Sequence, residues 1–148
     1  MCYLMDRIYS DIEQWVDLKI SKESLLQTDK SYSKQEIRAR ATICWIKDDQ
    51  GRMIAISGGY EKHIGITQEE YEGKLDSEVH GDLGLVFERN DRIVRETLIA
   101  VTRDEKWLNP EGQLMTGEVL KKPHLYNGRW GTFGYIFQET IRPIYVST

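Results

Sequence analysis

The chain is poor in cysteine. It has 148 residues and only Cys2 and Cys44. Two distant cysteines make no disulfide framework and no metal motif, and they suit a reducing cytosol. Free cysteine usually behaves as a small buried hydrophobe, so Cys44, inside a strand-like run, is expected in the core. Basic charge is also short: 20 Lys and Arg against 24 Asp and Glu give a formal charge of −4. A nucleic-acid surface is usually basic, so this segment is expected to make no direct nucleic-acid contact. Long apolar runs are missing too. None approaches the ~18 residues of a membrane span. Met1 to Asp6 has no basic start leading into an apolar run, so no signal peptide is expected. A cytoplasmic, non-membrane protein is the expectation.

Catalytic motifs are missing as well. His63, His80 and His124 are scattered, with no H-E-x-x-H spacing. There is no Gly-x-Ser-x-Gly and no Walker loop. Gly58-Gly59 reads as backbone relief, because phosphate binding needs a longer loop on a helix N-terminus. Carboxylates are numerous and read as solvated surface. No metal site and no enzyme are expected.

What is present is ordinary core material, with 40% hydrophobic residues, enough for one domain plus flanking structure. Leu4, Ile8, Ile12 and Trp15 make one stripe of an amphipathic helix, from Met1 to about Gln27. That stripe is the expected dimer contact. Ser33 to Glu36 is a capping box that starts a short helix, Lys34 to about Arg40.

Ala41 to Lys47 reads as a strand with Ile43 and Trp45 on one face and Cys44 and Ile46 on the other, so both faces should be covered. Asp48 to Gly51 is a hairpin turn, and Met53 to Ser57 is the return strand. Glycines then punctuate short helices. Gly65 ends one over Tyr60 to Ile64, Thr67 to Glu70 opens a second, and Asp76 is expected to cap a third. Leu85 to Val101 has the periodicity of one long helix. Strands follow at Arg103 to Leu108, Gln113 to Leu125 and Arg129 to Thr140. They are joined by the turns Asn109 to Gly112 and Asn127-Gly128. Arg142 onward is an exit segment. A five-stranded antiparallel sheet with helices on one face accounts for this order.

The ordered set resembles a PAS domain of the bacterial sensory kind. Trp45-Ile-Lys-Asp to Gly51 looks like the family's first strand and hairpin. Gly65-Ile-Thr and Gly73 to Asp76 look like its glycine-marked helix ends. Asn90-Asp91 looks like the start of the helix that spans its sheet. Lys122-Pro123, Asn127-Gly128, Gly131 and Gly134 look like its final hairpin. The resemblance implies an α+β, PAS-like fold, with an N-terminal extension over 1–40, the PAS domain over 41–140 and an exit segment over 141–148. Two positions depart from the family pattern. Ser57-Gly58 stands where Asn and Pro are frequent. Gln138-Glu139-Thr140 replaces the closing Asp-x-Thr that often ties the domain to an output helix.

What the resemblance implies is a sensor or interaction module within a cytoplasmic signalling or transcription regulator. It would act as a homodimer, with its output domain elsewhere and a small ligand between sheet and long helix. Candidate walls are Cys44, Ile46, Ile54, Ile56, Phe87, Val94, Met115 and Ile136. All are apolar, so they serve equally as plain core or as a site for an apolar or aromatic ligand. The cofactor is unknown. No cysteine lies between Tyr60 and Gly84 and Ile136 occupies the last-strand position, so a LOV-type flavin photosensor is not expected. The alternatives are a ligand-free dimerisation scaffold, or a non-covalent flavin or haem sensor with His80 as the nearest iron ligand.

Overall fold

The computed structural model describes residues 31–145. The expected helix carrying Leu4, Ile8, Ile12 and Trp15 lies outside the described residues. The elements run in the order α1 (Lys34–Arg38), β1 (Ile43–Lys47), β2 (Met53–Ile56), α2 (Gly58–Ile64), α3 (Gln68–Tyr71), α4 (Asp76–His80), α5 (Asp82–Thr97), β3 (Val101–Leu108), β4 (Leu114–Tyr126) and β5 (Arg129–Ile136). A short 3-10 turn, Gln138–Thr140, and a two-residue strand β6, Arg142–Pro143, close the chain.

The strands form one antiparallel sheet in the order β2-β1-β5-β4-β3. That is the α+β arrangement expected. The exit segment adds something unexpected: β6 pairs with β4, Met115 opposite Pro143 and Thr116 opposite Arg142.

Local signals set most boundaries. Ser33 and Glu36 form the α1 capping box, and Thr67 and Glu70 form that of α3. Ser57 caps α2 by accepting from the Tyr60 N–H. Gly65 ends α2 in the left-handed region, at φ 86°. Asn127 and Gly128 both take positive φ, as a two-residue type I′ hairpin requires.

Two expectations need correction. Asp76 does not cap α4. Leu75 holds that position and Asp76 is fully buried, turned inward. The long helix is Asp82–Thr97 and not 85–101, because Leu98 turns left-handed at φ 56° and Val101 already belongs to β3. The helix begins earlier because Gly84 lets α5 lie close on α4, where a Cβ would collide with the Asp76 carbonyl.

All five β1 residues are buried, as two-sided coverage demands. Ile43, Trp45 and Lys47 face α5 and the short helices, while Cys44 and Ile46 face the other way. On that other face the Tyr32 ring stacks 5.1 Å from Phe133, and the Tyr32 N–H donates to His124 Nε2 at 2.8 Å. The β2 edge is closed by a side chain: Gln68 accepts from the Ile56 N–H and donates to the Ile54 carbonyl. This covers polar edge groups that would otherwise invite another strand.

Candidate functional site

Between the inner sheet face and the short helices lies a small cavity. Its walls include Trp45, Lys47, Tyr60, Tyr71, Asp76, His80, Phe87, Glu105 and Trp107. Aromatic rings dominate. Tyr60 meets Trp45 edge-on at 5.5 Å, and His80 meets Phe87 edge-on at 5.3 Å. The enclosed volume is about 20 Å³, room for one water molecule.

One side of the cavity is built from charges, all buried. Lys47 Nζ pairs with Asp76 Oδ2 and, at 2.6 Å, with Asp91 Oδ2. Lys121 Nζ lies 2.7 Å from Glu105 Oε2. It also stands 3.0 Å from Asp91 Oδ1, an ion-pair contact off the hydrogen-bonding direction. Tyr71 OH donates to Asp76 Oδ1 at 2.6 Å, and Asn90 Nδ2 donates to Glu105 Oε2 at 3.1 Å. Charge therefore alternates from α4 through β1, α5 and β4 to β3. Desolvating such groups is expensive, and only dense pairing of this kind makes it tolerable.

The pairing sets the protonation states. Burial alone would lower the Lys47 pKa, but Asp76 and Asp91 override it and hold the ammonium above its usual range. Burial pushes against the Asp91 carboxylate too, yet Lys121 and Lys47 keep it below the usual carboxylate range. Asp76 has one lysine instead of two. There burial outweighs Lys47, with Asp91 adding to the upward shift. Burial and then Lys47 lower His80 to about 4, so its ring is neutral at physiological pH.

Two polar atoms of the walls stand apart from this network. Trp45 Nε1 and His80 Nε2 are buried without a hydrogen-bond partner. Buried donors and acceptors are normally satisfied, so orphans on a cavity wall mark places where a bound molecule has something to bond. Trp45 itself lies over Gly134 of β5, where a Cβ would collide with the indole.

The structure brings two of the anticipated wall residues, Phe87 and Ile136, to the cavity. Ile56 belongs to the core cluster beside it, and Met115 packs partly buried against that cluster. Val94 is fully buried on α5 but does not line the cavity. Cys44 and Ile46 point to the opposite sheet face. Cys44 Sγ lies 3.9 Å from Thr42 Oγ1, and burial raises the thiol pKa. Ile54 is half-buried on β2 and uses its carbonyl to hold Gln68. The expectation of purely apolar walls is corrected: Lys47, Asp76, His80 and Glu105 line the cavity. Their signal was in the periodicity. Lys47 shares a strand face with Trp45, and Asp91 sits on the same buried helix stripe as Gly84, Phe87 and Val94.

A haem or flavin ring system far exceeds a 20 Å³ space, so either would force the aromatic walls apart. Among the described residues no group of His, Cys, Asp or Glu is arranged to hold a metal ion, and no helix is long and apolar enough to cross a membrane.

No family model and no curated protein matches the chain. Solved structures do. A Vibrio cholerae VqmA dimer, described among LuxR-type receptors, aligns with a TM-score of 0.57 and 20% identity over 70% of this chain and 46% of that one. VqmA bound to DPO gives a TM-score of 0.57 and 20% identity over 70% of this chain and 52% of its own. The chain thus spans about half the length of the VqmA chains it matches. A PAS domain from Colwellia psychrerythraea aligns with a TM-score of 0.56 and 19% identity, covering 74% of this chain and 92% of that one. The sheet order, the helices packed on its inner face and these likenesses agree: the described residues form a PAS-fold domain.

Proposed function

We propose that this chain is the sensory module of a cytoplasmic regulator. It holds a small ligand in the aromatic cavity and passes the change through a homodimer to an output domain elsewhere in the protein. The observation that carries the reading is the pair of unpartnered atoms, Trp45 Nε1 and His80 Nε2, on the cavity wall. VqmA, similar in fold, is described bound to DPO and, in another structure, in a complex with ligand and DNA, which supports a transcription regulator as the setting. The module runs over 41–140, preceded by the extension 1–40 and followed by 141–148. Leu4, Ile8, Ile12 and Trp15 supply the dimer contact. Ligand binding shifts the population between two arrangements of the sheet and its flanking helices.

The experiment is release. The protein is purified from its native host, denatured, and the supernatant analysed by mass spectrometry and absorbance. A stoichiometric small molecule supports the reading. Its absence, together with no thermal shift from host metabolite extract, overturns it.

A second reading is a dimerisation scaffold without ligand. The 20 Å³ volume favours it, since the cavity as it stands admits only a water. A dimer that is unaffected by extract and lost on Ile8→Asp with Ile12→Asp would decide for the scaffold.

A further inference from the structure

A second concavity lies just outside the cavity. It is an open groove of about 240 Å³ lined by Ile64, Gly65, Ile66, Val79, His80 and the Leu108 to Pro110 turn. Ile64 and His80 are walls of both spaces. These two side chains therefore border a water-sized chamber on one side and a much larger groove on the other.

His80 is built to move. It is the last residue of α4, and Gly81 follows with φ 64° and ψ −140°, a break between α4 and α5. No atom lies within 4 Å of a Cβ built at Gly81, so the backbone beside His80 has free space. Nε2 has no hydrogen-bond partner, and the ring rests on Tyr71 at 5.6 Å and Phe87 at 5.3 Å between centroids. Packing on rings resists rotation less than a directional bond to a fixed partner. The ring is also neutral, so swinging it carries no charge past Lys47. The groove's other lip is firm: Pro110 presses on Gly65, where a Cβ would collide with the proline ring. Movement therefore falls to the α4 side.

We propose that His80 is the gate of the cavity, its imidazole swinging at the end of α4 to connect the groove beside Pro110 with the aromatic chamber. The proposal deepens the ligand-site reading and rests on it for its purpose. Its test needs no natural ligand, so either can fail alone.

The probe is acrylamide, a small neutral quencher. Trp15→Phe and Trp130→Phe in the full chain leave Trp45 and Trp107, both buried on the cavity wall. In that background His80→Ala is expected to raise the bimolecular quenching constant at least threefold, and His80→Phe to leave it unchanged. Val79→Phe, which fills the groove without touching the cavity, should abolish the gain. Met53→Ala makes room at a wall the groove does not share. A gain there equal to that of His80→Ala, or a gain that survives Val79→Phe, overturns the gate. If His80→Ala does not fold, Ile64→Ala at the other shared wall must exceed Met53→Ala and lose its gain to Val79→Phe. The opposite result is equally decisive against the route.

Discussion

Asp91 takes Lys47 on one carboxylate oxygen and Lys121 on the other, at 2.6 and 3.0 Å. The two lysines stand on β1 and β4, with β5 between them. Gly134 of β5 lies opposite both Trp45 and Lys121, so a residue without a side chain leaves the inner face open there. One helix carboxylate therefore clamps α5 across three strands. Asp91→Ala would leave two buried ammonium groups short of a counter-ion. The expected loss is about 3–5 kcal/mol of unfolding free energy, the scale for breaking a buried pair from one side. Urea unfolding followed by circular dichroism measures it. A loss under about 1 kcal/mol would mean the clamp contributes little.

Gly134→Ala tests the same geometry from the apolar side. The added methyl meets the Trp45 indole, which has the sheet beneath it and Tyr60 against it. Overpacking of this kind typically costs about 1–3 kcal/mol. Gly128→Ala is the informative contrast. Nothing lies within 4 Å of its Cβ, but its φ of 75° strains any L-residue, at about 1 kcal/mol. Equal losses at the two sites would count against the packing account of Gly134.

The turns and caps were legible in the sequence because their partners are near in the chain. Ser33 with Glu36, Thr67 with Glu70, and Asn127-Gly128 each settle their geometry within four residues. The sheet followed from them. The charged wall was not legible in the same way. Lys47 meets Asp91 44 residues away, and a lysine ending an apolar strand before Asp48-Asp49 reads as surface until that partner is known. The apolar wall residues on β1 were misplaced by one position: Trp45 and Lys47 face the cavity, not Cys44 and Ile46. A strand buried on both faces gives no hydrophobic alternation to choose between them. Asp76 shows the same limit. A helix-start aspartate normally caps, and only Lys47 and Tyr71 explain why this one turns inward.

Stability should fall as pH drops from about 6.5 to about 4. Burial lowers both His80 and His124 to about 4, with Lys47 and Lys122 respectively adding to the shift. The folded state then binds fewer protons than the unfolded state in that window, so these histidines favour folding fully above 6.5 and lose that contribution toward 4. Asp76, raised in the folded state, acts with the opposite sign and softens the slope. His124→Gln should remove up to about 1.4 kcal/mol per pH unit of the dependence, one proton's worth. Tyr32 reports the same event. Its N–H donates to His124 Nε2, and a protonated ring cannot accept. Amide exchange at Tyr32 should accelerate as pH falls toward 4, once corrected for intrinsic rates. A slope unchanged by His124→Gln would reject this assignment.

Trp45→Phe separates ligand recognition from folding. In the free protein the indole N–H is buried without a partner. An unmade bond of this kind costs about 1–3 kcal/mol, and phenylalanine removes it. The smaller ring also gives up contact with Tyr60 and Gly134, and the loss is of similar size. The two effects oppose, so the net change in unfolding free energy should stay within about 1 kcal/mol. Binding behaves differently. If the ligand accepts from Nε1, its affinity should fall about tenfold, the equivalent of about 1.4 kcal/mol for one hydrogen bond, and less of it should be retained through purification. Mass spectrometry of material released from the two proteins, purified in parallel, gives the ratio. A purely structural tryptophan would show the reverse: a stability loss of several kcal/mol with ligand retained in whatever protein remains folded.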